Sequence, residues 1–492
     1  MQFLRNQWQR VALQASKRPV LGVGIGVAIC AIVVASTLGA AALTNSGVFG
    51  RQSAQSPTAT SSSSATPTPL PALKGNDWTH YRYDLSGTGN NPEGLIDSTN
   101  VAQLKQAWTW DAPDVFASTP AVVGRTIYIP NGKTLNAVNL RTGAPLWKFV
   151  TDTTDFINSS VTVDPQTQIA YFGTPSHQVF AVSTRDGTLV WKTLLGEPNQ
   201  PGAYIWSSPL LINGKIYIGL ASTANPCIRG ALYALDAATG KIAWTHYTAP
   251  AGKIGGGVWA SPIAFPQQHE VVIATGNPCP SADGLTPPSD LEQDSIVGID
   301  WDTGATQWVY TAIDPDPCDC DFGGGPVNYT YGGQQYFVAG NKFGTVYALR
   351  LQGKGVQLAW SQHIATLSHS RLSGIIQPPT YADGTVFVAG NTANNGSCAG
   401  KVWALAADTG AIRWQACTDH PTASAGAVSG DVYFNASFGS VVAYRATTGE
   451  VLWHADLPGA DVYGGVTISH GALLVGTTKT LLHSFTLDGL AP

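Results

Sequence analysis

The chain has 492 residues, a formal net charge of −5 and 54 glycines. Only 12% of its residues are charged, about half of the ~25% that is usual. A charge this mild, with no basic stripe and no acidic tail, does not favour nucleic acid or a charged polymer as a partner. The composition is typical of an exported β protein whose solvent faces carry Ser, Thr, Asn and Gln.

The chain begins with a basic segment, residues 1–18. Its basic residues include Arg5, Arg10, Lys17 and Arg18. An uncharged run of 24 residues follows at positions 20–43, long enough to span a bilayer core of ~30 Å. Because positive flanking charge keeps an N-terminus in the cytoplasm, we expect 19–43 to be a transmembrane signal-anchor. The chain would then be a single-pass protein of the cell membrane. A secretory signal cleaved after Ala40–Ala42 is the alternative, although such peptides have shorter apolar cores.

Residues 44–75 are predicted to be a linker. Ser, Thr, Ala and Pro dominate positions 51–75, and such a composition buries too little apolar surface to fold. We therefore expect a disordered tether that holds the rest of the chain away from the membrane. The remainder, residues 76–492, carries one continuous repeat, which favours a single large domain on the extracytoplasmic side.

The repeat is a tryptophan that returns at the end of nearly the same phrase. Its eight occurrences are Trp108, Trp147, Trp191, Trp244, Trp308, Trp360, Trp414 and Trp453. In six units a turn glycine precedes the Trp by four positions, and successive Trp residues lie 39 to 64 positions apart. Each full unit also contains four short runs rich in β-branched and aromatic residues. The pattern predicts β-propeller blades, with each indole packed between blades and its N–H bonded to backbone.

The two ends of the repeat complement each other. Seven units are complete, and after Trp453 three strand-like runs remain without a closing Trp strand. The early run around Trp108 has no unit of its own. Pairing the two ends would close the ring and remove exposed sheet edges. We therefore predict an all-β fold, an eight-bladed β-propeller over residues 76–492.

Six cysteines follow the predicted membrane segment. They are Cys227, Cys279, Cys318, Cys320, Cys398 and Cys417. An even number in an oxidising compartment favours disulfides, with 15 possible pairings. Cys398 and Cys417 flank one hairpin and form the best local pair, while a zinc site made by the other four is the alternative. No Cys-x-x-Cys-His motif for covalent haem occurs.

The repeat Ala-x-Asp-x-x-Thr-Gly-x-x-x-Trp resembles that of the pyrroloquinoline quinone (PQQ) dehydrogenases, from about Trp78 to the C-terminus. Four stretches are similar to the polyvinyl-alcohol-dehydrogenase-like branch of that family. They are Pro226–Gly230, Val258–Pro262, Asp319–Gly323 and Ala339–Tyr347. Together with the predicted signal-anchor, the resemblance implies a membrane-anchored enzyme with PQQ and calcium as cofactors. Such an enzyme oxidises a small or polymeric alcohol and passes electrons to a separate acceptor.

The resemblance also assigns site residues. Trp259 is similar to the ring on which the quinone stacks, although it could be one more indole between blades. Lys342 is similar to the lysine that bonds the quinone oxygens and stabilises their charge during reduction. Its alternative is an exposed strand lysine.

Three oxygen donors complete the implied site. Asn277 is similar to the amide that binds the family's calcium, although Asn-Pro is also a common turn. Asp319 resembles the catalytic base that accepts the proton of the alcohol hydroxyl, and Asp321 would be an additional metal ligand. With Asn277, both carboxylates form the predicted metal set. The alternative for the two aspartates is a solvated acidic turn.

The chain departs from the family in two places. The segment Leu220–Pro226 has no carboxylate where the family has a Glu ligand for calcium. The family's adjacent Cys-Cys pair has no match, although Cys318 and Cys320 could bond across one residue. A cofactor-free propeller that serves as a binding or scaffold module is therefore the alternative function. Convergence of the predicted site residues on one axis would favour the enzyme.

Overall fold

The computed structural model describes residues 76–489 except 154, 223–225, 280–291, 315–319, 367–371, 373 and 393–397. The predicted cytoplasmic segment, signal-anchor and linker lie outside these residues, as do Asp319 and Cys318. Within the described part, no helix is long and apolar enough to cross a membrane. The membrane segment therefore stays a prediction.

The described residues form eight sheets of mostly antiparallel strands, which are the blades of the predicted propeller. The chain first forms β1 (Asn90–Asn91), a 3₁₀ turn (Val101–Gln103) and β2 (Leu104–Asp111). Blade 1 contains β3 (Ala121–Val123), β4 (Thr126–Asn131), β5 (Thr134–Asn139) and β6 (Pro145–Val150). Blade 2 contains β7 (Thr162–Asp164), β8 (Ile169–Gly173), β9 (Gln178–Ser183) and β10 (Leu189–Leu194). Blade 3 contains β11 (Ala203–Tyr204), β12 (Leu210–Ile212), β13 (Lys215–Ser222), β14 (Ala231–Asp236) and β15 (Ile242–Tyr247).

The later blades repeat this order. Blade 4 contains β16 (Ile263–Phe265), a 3₁₀ turn (Pro266–Gln268), β17 (Glu270–Ala274), β18 (Ser295–Asp300) and β19 (Thr306–Thr311). Blade 5 contains β20 (Val327–Tyr331), β21 (Gln334–Gly340), β22 (Thr345–Gln352) and β23 (Gly355–His363). Blade 6 contains β24 (Thr380–Ala382), β25 (Thr385–Asn391), β26 (Gly400–Ala406) and β27 (Ile412–Thr418). Blade 7 contains β28 (Ala427–Ser429), β29 (Val432–Ser437), β30 (Ser440–Arg445) and β31 (Val451–Asp456), and blade 8 contains β32 (Thr467–Ser469), β33 (Ala472–Gly476) and β34 (Leu481–Leu487).

Strand β2 closes the ring as the outer strand of blade 8. It pairs with β34 in antiparallel register, so that Trp108 lies opposite Ser484. The predicted pairing of the two chain ends is confirmed. Each of the eight outer strands also has a register shift beside its Trp. A bulge of this kind changes the direction of a side chain, and here it allows the indole to face the next blade.

Seven of the eight indoles donate their N–H to a backbone carbonyl of the following blade, as predicted. The donors and acceptors, 2.8–3.2 Å apart, are Trp108 and Leu140, Trp147 and Thr184, Trp191 and Ala237, Trp244 and Trp301, Trp360 and Ala407, Trp414 and Ala446, and Trp453 and Leu104. The turn glycine of the next blade packs on the ring. Gly240, for example, has φ +72°, and a Cβ built on it would lie 2.5 Å from the Trp191 ring. Only glycine both adopts this positive φ readily and has no Cβ that would collide with the ring.

Trp308 differs from the predicted pattern. Its N–H donates to the Glu270 carboxylate of its own blade at 2.8 Å instead of to a backbone carbonyl. The turn that should receive it, between β22 and β23, reads Gln352-Gly353-Lys354-Gly355 and lacks the Asp-x-x-Thr-Gly sequence. Without that turn, the neighbouring blade does not present the usual carbonyl, and a buried acidic side chain accepts the N–H.

Residues 76–91 form a strap that passes the innermost strands of the eight blades in turn. Hydrogen bonds join the strap to the innermost strand of every blade, and these strands surround the axis. The bonds link Asn76 to Ser469, Trp78 to Val122, Thr79 to Val163, His80 to Leu211, Leu85 to Ala264, Ser86 to Asn328, Thr88 to Tyr381 and Gly89 to Val428. The strap therefore closes one end of the central shaft and connects all eight blades.

Arg82 anchors the strap to blades 6 and 7. Its guanidinium is buried and donates to the carbonyls of Gly426 and Pro379 and to the Thr380 hydroxyl, the last at 2.7 Å. Burial lowers the pKa of the Arg82 guanidinium and raises that of the nearby Asp84 carboxyl. A small cavity of about 20 Å³ lies between the strap and blades 3 to 6, with room for roughly one water.

Two disulfides are described. Cys398 and Cys417 are bonded with their Cα atoms 5.3 Å apart, which confirms the predicted local pair. Cys227 and Cys279 form the second bond, with a Cα separation of 6.2 Å. Cys320 is also disulfide-bonded. Because Cys227, Cys279 and Cys320 are bonded in disulfides, they do not form the alternative zinc site.

Candidate functional site

The end of the shaft opposite the strap is bordered by one residue from each blade, which we call the collar. Seven collar residues lie five positions before the inner-strand residue at which the strap passes that blade, and Tyr463 lies six positions before Ser469. The collar consists of Ala117, Asn158, Trp206, Trp259, Gly323, Ile376, Ala423 and Tyr463. Six of these residues are partly exposed, and Gly323 and Ala423 are buried. Two aromatic rings from neighbouring blades, Trp206 and Trp259, therefore stand beside each other at the open end of the axis.

Three predicted site residues meet at this end of the shaft. The Trp259 indole N–H donates to Oδ2 of Asp321 at 2.9 Å. Oδ1 of the same carboxylate lies 2.5 Å from Lys342 Nζ. The ammonium in turn lies 4.9 Å from the centroid of the Trp259 ring, within the range of a cation–π contact. The Asp321 side chain is 3% exposed and that of Lys342 is 19% exposed, so that the pair is largely desolvated.

Blade 5 supplies the charged pair through its backbone. Asp321 precedes three glycines that lead into β20, and the Lys342 N–H donates to the Asp321 carbonyl at 3.0 Å. Lys342 lies in the tight turn after β21, and not on a strand as the sequence suggested. The glycines allow close packing, since a Cβ on Gly323 would lie 2.6 Å from the Ile376 backbone. Tight packing on both neighbouring blades fixes the loop that carries Asp321.

Blade 4 positions the indole. Trp259 precedes β16 and is held on one side by the Val258 N–H, which donates to the Leu220 carbonyl at 3.2 Å. On the other side, Ser261 accepts a bond from the backbone N–H of Ser208 at 2.8 Å. The indole therefore stands on a backbone segment that is tied to blade 3. Its position lies outside the eightfold Trp repeat, which was the signal that separated it from the structural tryptophans.

Asn277 lies close to this cluster. The preceding residue, Gly276, packs against Asp321, and a Cβ there would lie 3.1 Å from Oδ2. The Asn277 carbonyl accepts a bond from the Gly256 N–H at 2.9 Å. Its side chain is half-buried, and the Cys227–Cys279 disulfide begins two residues later. Asn277 is thus placed near Asp321, whereas Asp319 lies outside the described residues.

Sequence reasoning missed a second aromatic residue at the collar, Trp206. Its ring lies 6.3 Å from that of Trp259, with an interplanar angle of 81°. Tyr204 packs behind it at 4.9 Å, and the Tyr204 hydroxyl accepts a bond from the Asn158 amide at 2.6 Å. The two indoles form a corner with nearly perpendicular walls. Trp206-Ser-Ser-Pro and Trp259-Ala-Ser-Pro occupy equivalent positions before the inner strands of adjacent blades. This similarity could have identified Trp206 from the sequence.

The chemistry of this cluster fits a flat, electron-accepting ligand. A half-exposed indole provides a rigid π surface, and an ammonium beside it can donate to an oxygen that gains negative charge. The described residues fit a cation less well. They contain no group of three or more His, Cys, Asp or Glu side chains that could hold a metal ion. The described carboxylate at the site, Asp321, already bonds to protein groups through both oxygens.

Comparison with protein families identifies the class. The PQQ family, described as the β-propeller domain of glucose, ethanol and alcohol dehydrogenases, matches residues 78–357. The match spans more than half of the chain, so the chain belongs to this family, as its sequence repeat had indicated. A family described as the outer membrane protein assembly factor BamB matches residues 292–477.

Individual relatives are alcohol dehydrogenases. The chain is 24% identical to a polyvinylalcohol dehydrogenase of Sphingopyxis sp. (strain 113P3), over 82% of this chain and 71% of that protein. A polyvinylalcohol dehydrogenase of Pseudomonas sp. is also 24% identical, over 87% and 76% of the two chains. The crystal structure of quinohemoprotein alcohol dehydrogenase from Comamonas testosteroni has the same fold. Its TM-score is 0.72 at 18% identity, covering 86% of this chain and 82% of that one.

Proposed function

We propose that the chain is a PQQ-dependent alcohol dehydrogenase. The observation that carries the proposal is the contact of Trp259, Asp321 and Lys342 at the open end of the shaft. A structural repeat does not require these contacts, because none of the three residues is part of the Trp-docking pattern. Membership of the PQQ family and the alcohol dehydrogenase relatives support the same reaction class.

The residues have distinct roles in this proposal. PQQ, when bound, supplies a carbonyl group that accepts a hydride from the alcohol carbon. Trp259 provides the surface on which the flat ring rests, and the Lys342 ammonium donates to its oxygens. Asp319 accepts the proton of the alcohol hydroxyl as general base. The Trp206 corner borders the space in which the alcohol approaches and shields it from water.

Calcium was expected at Asn277, Asp319 and Asp321. A Ca²⁺ ion takes six to eight oxygen ligands, with carboxylates prominent among them. Asn277 is neutral, both Asp321 oxygens contact Trp259 or Lys342, and the segment Leu220–Pro226 has no carboxylate. Asp319 lies outside the described residues; the described residues by themselves do not fit this ion, and we assign calcium no step in the reaction.

The substrate we propose is a small or polymeric alcohol, in keeping with the polyvinylalcohol dehydrogenases. Electrons would leave to a separate acceptor, because the sequence has no motif for covalent haem. We also propose an extracytoplasmic location with the 19–43 segment as a single-pass membrane anchor. The two disulfides support an oxidising compartment.

A cofactor-free scaffold is the second candidate. The BamB match over residues 292–477 and the missing carboxylate in Leu220–Pro226 favour it. A scaffold, however, has no need for a buried carboxylate that joins an ammonium to an indole. Because such a buried ion pair gives little net stability, its presence is better explained by ligand binding.

The test is alcohol-dependent dye reduction by the purified full chain after incubation with PQQ, with a panel of alcohols. We expect turnover by the natural sequence and a loss of at least about 100-fold in Asp319→Asn, which should still retain quinone absorbance. Asp314→Asn, in the same acidic stretch, is the matched control and should keep its activity. Equal turnover by Asp319→Asn would exclude this base, and a chain that retains no PQQ would favour the scaffold.

A further inference from the structure

Asp321 is the best-connected side chain of the site. Oδ2 accepts the Trp259 N–H, Oδ1 pairs with Lys342 Nζ, and the Asp321 carbonyl accepts the Lys342 backbone N–H. One residue thus makes three contacts with the two side chains proposed to hold the quinone. We infer that Asp321 is a positioning residue and not a metal ligand, and that Lys342 supplies the positive charge that a cation provides in the related enzymes. This inference rests on the proposed function.

The burial of the pair supports the positioning role. Asp321 is 3% exposed and Lys342 is 19% exposed, and breaking a buried ion pair leaves an uncompensated charge with a large desolvation cost. Each carboxylate oxygen has a second lone pair, but a cation bound there would lie close to the Lys342 ammonium and be repelled by its charge. A cation that displaced Lys342 instead would cost a charge-assisted hydrogen bond. The carboxylate therefore favours its present partners over an added ion.

The geometry also explains what Asp321 orients. Its bond to Nε1 sets the rotation of the Trp259 ring, and its bond to Nζ holds the ammonium 4.9 Å from the centre of that ring. An ammonium has three N–H donors, so Lys342 can bond to a ligand oxygen while it stays paired with Asp321. A flat quinone on the indole would then meet a fixed cation at its edge. Removing the carboxylate should release both groups at once.

Asp319, the other predicted carboxylate ligand, is assigned to the proton of the alcohol in the proposed function, so a metal site would depend on Asp321. Leu220–Pro226 has no acidic residue, and the described residues hold no cluster of three potential ligands. A positive charge is still needed where negative charge develops on a reduced carbonyl. Lys342 is the described cation in contact with Trp259. Quinone binding should consequently be independent of added divalent metal.

The test measures PQQ binding to the purified full chain by equilibrium dialysis and quinone absorbance, in EDTA and in millimolar Ca²⁺. For the natural sequence we expect dissociation constants that agree within about threefold. Asp321→Asn and Lys342→Met should each bind about tenfold more weakly or worse in both conditions, with no recovery when Ca²⁺ is raised. Lys342→Arg should recover part of the affinity, because it restores the charge. Lys253→Met, which removes an exposed lysine, is the control and should bind normally.

The outcomes distinguish failure of this inference from failure of the proposed function. Binding that requires Ca²⁺, or recovery of Asp321→Asn by excess Ca²⁺, would overturn the inference and leave the proposed function standing. Absence of PQQ binding in both conditions would overturn both. Near-UV circular dichroism identifies any variant that is misfolded. In that case the Lys342→Met and Lys342→Arg pair decides, since the partly exposed lysine can be replaced without changing the backbone.

Discussion

Lys342→Met is expected to lower alcohol-dependent dye reduction by about 100- to 1,000-fold at saturating PQQ, the cost of removing one group that stabilises a developing oxyanion. The variant keeps the length and apolar stem of the side chain but loses the ammonium beside Trp259. The loss should appear in kcat more than in KM for the alcohol, because the charge develops only during hydride transfer. Steady-state kinetics with an artificial electron acceptor measures both constants.

Lys354→Met provides the matched control for this prediction. Lys354 is exposed in the turn between β22 and β23 of the same blade, so its replacement should leave kcat within about twofold. Turnover by Lys342→Met equal to that of the natural sequence would show that the ammonium does not act on the reacting oxygen. The proposed role of Lys342 would then be wrong even if PQQ still bound.

Deletion of the strap, residues 76–91, is expected to abolish stable folding. Eight hydrogen bonds at about 1 kcal/mol each, together with burial of Trp78 at about 3–5 kcal/mol, amount to roughly 11–13 kcal/mol. This sum is comparable to the whole stability of a typical domain, about 5–15 kcal/mol. Urea unfolding followed by near-UV circular dichroism should show no cooperative transition. A transition as cooperative as that of the natural chain would contradict the connecting role of the strap.

Arg82→Met isolates one contact of the strap. The substitution removes the Arg82 donor from the buried Pro379 carbonyl and leaves the Gly426 carbonyl with the Thr380 hydroxyl as its donor, which costs about 2–4 kcal/mol in the free energy of unfolding. Arg185→Met, at an exposed arginine, is the control and should change the free energy of unfolding by less than about 0.5 kcal/mol. Comparable stability of the two variants would mean that Arg82 does not anchor the strap.

The ring could be predicted from the sequence because its signals are local. Each Trp, its turn glycine and the four strand-like runs lie within one unit, and the unpaired run around Trp108 indicated how the circle closes. The exception, Trp308, also had a local sign in the missing Asp-x-x-Thr-Gly turn of blade 5. The strap had none. The strap residues that form hydrogen bonds have partners distributed over the whole chain. No periodicity in residues 76–91 indicates which residues form these bonds.

The site was predictable in part. Trp259, Asp321 and Lys342 were identified through the family resemblance, and Trp259 also falls outside the eightfold register. The roles of these residues depend on how their atoms pair. Only the structure shows that both oxygens of Asp321 bond to Trp259 and Lys342, which changes its interpretation from metal ligand to positioning residue. Trp206 was missed because the chain has 15 Trp residues, and a role at the site can be inferred for this one only when its position in the blade is known.

A crystal structure of the full chain with PQQ tests the central claim most directly. We predict one quinone per chain, parallel to the Trp259 ring at van der Waals distance, with a quinone oxygen within hydrogen-bond reach of Lys342 Nζ. The Asp321 carboxylate should remain bonded to both side chains. Quinone density at any other place on the propeller, or none at a saturating concentration of PQQ, would contradict the account.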